Sequence, residues 1–464
     1  MAVVLEDIKS PFDGSIVGQA PLATLDDVDS AISVAVTGSH LWAKTPAHQR
    51  FAILMKAADL AEARAEEIAQ IISSENGKSL LEARGEAGRS AEIIRLAAFE
   101  GSQLYGTTLP LDANKGTGFD KLGFTLRQPV GVVVAISPFN YPALLVLHKL
   151  APALASGNSV VLKPARNTPL TAIALAQCFY DAGLPENVLR VVTGSGALLG
   201  DALVSDPRVR KVSFTGSTAT GQHISQIAGI KKLSLELGSS CPVVVLEDAD
   251  IERAAGAVAL GGYINAGQVC ISVQRVIVHE KIASQFLDAL TPLVEAITVG
   301  NPKDESTKVG TLISEAEAKR VEASISEAVS CGAKLHTGGQ RSGTIIKPAI
   351  VTNVDINSSF AQEELFGPAI SISTATSRNE AIAMANNSPY GLGAGIFTHN
   401  VDAAIQAARD IEAGIVHINW TPLWRADLMP YGGVKASGIG KEGVRSTVEE
   451  MTEVKTVIMH GQPW

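Results

Sequence analysis

Cysteine is scarce in this sequence. Four residues, Cys178, Cys241, Cys270 and Cys331, are spread over 464 positions, and none lies within three residues of another. That spacing excludes a zinc knuckle or a redox pair, and so few cysteines in so long a chain make no disulfide framework. Charge is also sparse, at 18% of residues, and acids outnumber bases to give a formal net charge of -9. A broad basic face for nucleic acid is therefore not expected. The longest apolar runs, such as VGVVVAI at 130–136, fall well short of the roughly 20 residues of a membrane span. The opening MAVVLEDIKSPFDG has no basic segment leading into an apolar stretch. No signal peptide is read, and a reducing cytoplasm is expected.

What the chain does have is a globular composition, with 46% hydrophobic residues, and enough length for two or three domains. Residues 26–104 read as helical, with apolar positions at three- and four-residue spacing. From 130 the pattern changes to short apolar runs alternating with helical stretches: VGVVVAI (130–136), SVVLKP (159–164), NVLRVVTG (187–194), KVSFTG (211–216) and KLSLEL (232–237). Such alternation predicts a parallel sheet covered by helices on both faces. It restarts at PVVVLEDADI (242–251) and runs to GIVHIN (414–419). The fold class expected is α/β, with two doubly wound parallel-sheet domains meeting near Gly238. Residues 119–130 and 447–460 fit neither sheet; each alternates like an exposed strand and is a candidate for pairing between subunits.

Five places carry residues suited to chemistry. Cys270 lies in NAGQVCIS, after a predicted helix, where a loop could expose it. A cysteine in an apolar stretch is ordinarily inert core; with neighbouring amides or a positive charge it becomes a carbonyl nucleophile. Glu236 alternates with leucines at the end of a strand. It reads either as an edge charge facing water or as a buried general base with a raised pKa. Asn140 in SPFNYP is a turn residue or an amide donor to a developing oxyanion. FTGSTATG (214–221) offers the start of a helix to a phosphate, or simply caps that helix with Ser217. KPARNTP (163–169) places Lys163 and Arg166 on the same sheet edge, as solvated loop charges or as cofactor contacts. That edge is the carboxyl end of the strands, where open α/β sheets bind ligands.

The order and wording of PFNYP, VVLKPA, FTGSTATG, LELGSSCPVVV, NAGQVC, EELFGPAIS, NNSPYGLGAGIFT and MPYGGVKASGIGKEG resemble the aldehyde dehydrogenase superfamily over essentially the whole chain. The resemblance implies a dinucleotide-binding domain (1–110 and 131–238), a catalytic domain (239–446) and a small β oligomerisation arm (111–130 and 447–464). It makes Cys270 the nucleophile, Asn140 and the Cys270 amide the oxyanion hole, and Glu236 the base that activates the deacylating water. Lys149 and Glu442 match positions tied to proton movement. Glu364 would hold the nicotinamide ribose and Phe366 would pack near the ring. Lys163 would take the adenine-side ribose and Ser217 the pyrophosphate, with Ser137, Pro138, Gly216, Gly221 and Leu237 on the same cofactor side. The implied reaction is thiolate attack, hydride transfer to a nicotinamide cofactor and thioester hydrolysis, without a metal. The implied assembly is a homodimer or homotetramer with no nucleic acid or membrane partner.

Two departures from the family's wording stand out. An acid usual at position 166 is replaced by Arg166, which removes a charge that would repel a 2′-phosphate and suits NADP over NAD. The usual ELGG reads Glu236-Leu237-Gly238-Ser239. NAGQVCIS and RADLMPYGGVK match best the branch acting on small hydroxylated or anionic aldehydes. Tyr141, Leu145, His148, Trp420 and Arg425 are the pocket candidates, and Arg425 and Trp424 could equally serve subunit packing. His148 stands where succinic semialdehyde enzymes tend to carry arginine. A CoA-acylating enzyme should have no need of Glu236. An inactive relative should have lost Cys270, Glu236 or Asn140.

Overall fold

The computed structural model describes residues 4–461. An N-terminal hairpin, Leu5–Lys9 with Ile16–Pro21, leads into helices Leu25–Trp42, Ala47–Ala63, Ala65–Asn76 and Leu80–Ser102. Their alanine-rich inner faces, including Ala57, Ala61, Ala87 and Ala91, bury against the first sheet's helical layer. Small side chains let these helices approach closely, and helix Leu144–Ala155 is buried along its entire length between them and the sheet.

The first sheet has six strands in the order Gly438–Ile439, Lys232–Glu236, Val209–Thr215, Val132–Ile136, Ser159–Lys163, Leu189–Val191. All neighbours are parallel except the Gly438–Ile439 pair. The runs read as doubly buried strands are so: Val133, Val134, Val160 and Val161 are fully inaccessible. The strand expected over 187–194 is cut to Leu189–Val191.

The second sheet has seven strands, ordered Lys334–Thr337, Ala349–Thr352, Ala369–Ala375, Val273–His279, Cys241–Val245, Gly393–Phe397, Ile415–Ile418. Only its first strand is antiparallel to its neighbour. Residues 237–240 carry the chain directly from Lys232–Glu236 to Cys241–Val245. The carboxyl edge of the first sheet thereby meets the amino edge of the second.

The exposed segments pair with each other. Thr452–His460 runs antiparallel to Lys121–Pro129 over its full length, and Thr108–Leu109 completes a three-stranded sheet. One expectation needs correction. Residues 447–450 are not strand but the end of helix Val444–Glu450. Val444 and Met451 at its ends are fully buried in the first domain's core, which overrides the alternation. Residues 438–450 thus return to the first sheet and its helices instead of staying with the second.

Candidate active site

Cys270 lies between a tight turn at 264–267 and strand Val273–His279. Asn265, Ala266 and Gly267 all have positive φ, at 50°, 53° and 71°. A non-glycine residue there is strained, so the turn is held by its surroundings. Glu82 accepts from the Asn265 amide at 2.7 Å, and the Gln268 side chain donates to the Asn265 and Thr311 carbonyls. A Cβ on Gly267 would lie 2.1 Å from the Gly367 carbonyl oxygen, so only glycine fits.

Asn140 faces this turn from the other sheet. Its Nδ2 donates to the Gln268 carbonyl at 2.9 Å, and its Oδ1 is buried without a partner. Its own carbonyl accepts from Lys78 Nζ at 2.8 Å and from Asn265 Nδ2 at 3.0 Å. Lys78 is itself paired with Glu86 in a fully buried ion pair. Glu86 also accepts from the amides of Ala143 and Leu144, at the start of helix Leu144–Ala155. Removing one member would leave an uncompensated buried charge, so this pair fixes the loop bearing Asn140.

Glu236 ends its strand 2% exposed, and neither carboxylate oxygen has a partner. Burial, reinforced by the nearby Glu442 charge, holds its pKa well above the usual carboxylate range. Burial pushes Glu442 the same way, but Lys149 and Arg425 outweigh it and keep Glu442 ionised. Lys149 Nζ bonds Glu442 Oε1 and donates to Thr215 Oγ1 at 2.7 Å. The two acids therefore differ: burial and the Glu442 charge push Glu236 up, while Lys149 and Arg425 hold Glu442 down.

Cys270 opens into a cavity of about 80 Å³, which Tyr141, Leu145, His148 and Arg425 also line. Trp420, expected with them, packs against the core of the second sheet instead. It lies just past strand Ile415–Ile418, where apolar burial against that core holds its indole. Arg89, Leu423 and Tyr431 line the cavity without having been anticipated. Arg89 pairs with Asp427 Oδ1 at 2.6 Å, and the same oxygen meets His148 Nε2 at 3.2 Å. Burial, helped by the Arg425 charge, pulls His148 down to about 4, so it is neutral at pH 7. Its Nδ1 is buried without a partner. Arg425 is 10% exposed, stacks 3.9 Å over the Tyr431 ring, and sets Nη2 3.5 Å from Glu442 Oε2 as an ion pair, while its buried Nε has no hydrogen-bond partner.

The remaining residues line the junction of the sheets. Ser217 caps helix Thr218–Ile227, accepting from the Thr220 amide. The Cβ-free faces of Gly216 and Gly221 take the Phe214 ring and the Leu237 side chain. Ser137 is buried, and its Oγ has no partner. It follows strand Val132–Ile136 and precedes Pro138. Lys163 is 4% exposed, its Nζ reaches only the Pro164 carbonyl, and burial pushes its pKa down to about 8. Arg166 does not share that burial. It is half-exposed and its guanidinium forks onto Glu6 Oε1 of the N-terminal hairpin. Glu364 accepts from the Ser239 amide at 2.9 Å, and burial raises it to about 7. Phe366, at a positive φ of 49°, meets Phe139 edge-on at 5.8 Å.

The family model for the aldehyde dehydrogenase family matches residues 5–457. The chain belongs to the aldehyde dehydrogenase family. It is 45% identical over 439 residues to 3-sulfolactaldehyde dehydrogenase of Priestia aryabhattai, covering 95% of this chain and 91% of that one. Lactaldehyde dehydrogenase of Methanococcus aeolicus is 37% identical, with 98% and 97% covered. Among solved structures, glyceraldehyde-3-phosphate dehydrogenase GapN from Methanocaldococcus jannaschii, complexed with NADP, superposes with a TM-score of 0.94. That match is 39% identical and covers 98% of each chain. This aldehyde dehydrogenase is accordingly an NAD(P)-dependent oxidoreductase that converts an aldehyde to an acid. None of its described helices is long and apolar enough to cross a membrane.

Proposed function

We propose that the substrate is a small aldehyde bearing an anionic group, with a hydroxyl beside the carbonyl. The observation that carries this is Arg425: a guanidinium nine-tenths buried beside the same cavity as Cys270, with no partner at Nε and only a 3.5 Å ion pair from Nη2 to Glu442 Oε2. Buried donors left open call for an acceptor. A sulfonate, phosphonate or carboxylate supplies one, and a planar guanidinium binds such groups through paired hydrogen bonds. Arg89 adds a second cation, and the free Nδ1 of neutral His148 suits a hydroxyl. The relatives named for sulfolactaldehyde and lactaldehyde fit this reading.

In the reaction, Cys270 Sγ attacks the carbonyl carbon and the Asn140 amide stabilises the oxyanion. The nicotinamide cofactor, when bound, accepts the hydride. Glu236 then takes a proton from water as that water attacks the thioester, and the Lys149–Glu442 pair passes the proton outward. The residues fit a dinucleotide: an orphaned Ser137 hydroxyl, a nearly unpartnered Lys163, a helix N-terminus at Ser217, and the free oxygen of Glu364. A Cβ at Gly238 would fall 2.9 Å from Glu364 Oε2 and 3.0 Å from Thr218 Oγ1, so a larger residue in this neck would displace the Glu364 carboxylate. NADP is the preferred cofactor and NAD the alternative. Arg166 would exchange Glu6 for the 2′-phosphate. The arm built from Thr452–His460 joins subunits into a homodimer or dimer of dimers, since its outer edge is unpaired and Val454, Ile458 and Met459 are exposed. The compartment is the reducing cytoplasm.

A panel of aldehydes matched in size but differing in charge tests this, with reduced-cofactor absorbance read with and without CoA. The expected result is a higher kcat/KM for the anionic members and no requirement for CoA. Equal or better use of the uncharged members would overturn the substrate class, and a CoA requirement would overturn hydrolysis by Glu236.

A further inference from the structure

Tyr431 is the side chain that touches the nucleophile. Its Oη lies 2.9 Å from Cys270 Sγ, and the residue is 2% exposed. Its backbone is clamped on both sides: the Tyr431 amide donates to the Glu442 carbonyl, and the Glu442 amide donates to the Tyr431 carbonyl. The ring carries Arg425 on its face at 3.9 Å. Sγ is otherwise poorly placed to ionise. Burial raises the thiol pKa to about 12, and Glu364, Cys241 and Glu236 oppose a negative charge there; the Tyr431 hydrogen bond alone pulls it down. The groups facing Tyr431 are Arg425, Glu236 and Cys270, and burial keeps the phenol protonated as a donor. A cation over an aromatic face withdraws electron density and makes the phenolic hydrogen a better donor.

We propose that Tyr431 is a catalytic residue which donates its phenolic hydrogen to the Cys270 thiolate and thereby links the nucleophile to the Arg425 that holds the substrate's anion. This rests on Cys270 being the nucleophile and Arg425 the anion site. The Cys270 thiol loses its proton to solvent water before attack and the phenol keeps its own throughout: as the sulfur–carbon bond forms, the carbonyl π electrons move to oxygen and the Tyr431 hydrogen bond to sulfur weakens. One ring thus connects the two ends of a small substrate, the carbonyl at Cys270 and the anion at Arg425.

The test is the full-length enzyme without cofactor, wild type against Tyr431→Phe, alkylated with iodoacetamide across pH, with Cys270 modification followed by peptide mass. Loss of a hydrogen bond to a charged group should raise the alkylation midpoint by about one pH unit and slow the reaction about tenfold near neutrality. NADPH affinity should not change, which separates this loss from misfolding. An unchanged midpoint and rate would overturn the proposal. If the phenylalanine variant fails to fold, Tyr431→3-fluorotyrosine keeps the hydroxyl and makes it more acidic. The midpoint should then fall, and an unchanged midpoint overturns the proposal equally. Cys270→Ala distinguishes the underlying assignment: if that variant still turns over, the nucleophile is wrong. If it is dead while Tyr431→Phe alkylates normally, only the role of Tyr431 fails.

Discussion

The two parallel sheets use opposite edges. In the first, Ser137, Lys163, Ser217 and Glu236 all lie at the carboxyl ends of strands. In the second, Cys270 and Glu364 lie before strands Val273–His279 and Ala369–Ala375, at the amino edge. The general expectation that open α/β sheets bind at carboxyl ends therefore describes only one of them. The difference follows from the four-residue neck, 237–240, that stacks one sheet's end against the other's beginning. In the proposed reaction the first edge brings the base and the oxyanion donor, and the second brings the nucleophile.

Breaking each edge in turn should show this division. Cys270→Ala, on the second sheet, should lower turnover by roughly 10⁴-fold or more while leaving cofactor affinity intact; steady-state rates with equilibrium titration check it. Asn140→Ala, on the first, removes one oxyanion donor and should cost about 10²–10³ in kcat. It should not abolish alkylation of Cys270. Arg425→Gln should raise KM for anionic aldehydes by about tenfold to a hundredfold, the effect of losing a charge-assisted hydrogen bond. Uncharged aldehydes should be nearly indifferent to it. Glu6→Gln frees Arg166 and should raise the NADP-to-NAD ratio of kcat/KM. Exposed pairs are weak, so the gain should be about fivefold at most. Arg166→Glu should reverse it.

The edges were not equally legible in the sequence. Continuous apolar runs ending in turn residues identify the first sheet's carboxyl edge, and with it Asn140, Lys163, Ser217 and Glu236. Cys270 was legible through its Gly-Gln turn and the family wording around it. Arg89, Asp427 and Tyr431 were not. The Arg89–Asp427 pair spans 338 residues and the Cys270–Tyr431 contact 161, and no local period encodes either. A signal did exist for part of this group. Glu82, Glu86 and Arg89 recur at helical spacing among alanines, placing charge on a face that should be core. Trp420 was chosen and Tyr431 overlooked because which aromatic points into the cavity depends on how the chain turns after Ile415–Ile418. Residues 447–450 misled because an alternating polar pattern gave no hint that Val444, Val448 and Met451 would find a helical core.

The central claim is that the two edges act on one covalent intermediate, formed by Cys270 from one sheet and released by Glu236 from the other. Glu236→Gln, mixed with oxidised cofactor and an anionic aldehyde, quenched and mapped by peptide mass, tests it most directly. The account predicts a burst of reduced cofactor accompanied by stoichiometric acylation of Cys270. In wild type the adduct should be scarce, and its release should speed up as pH rises through the elevated pKa of Glu236. Undiminished turnover by the variant, or an adduct on any residue other than Cys270, would contradict it.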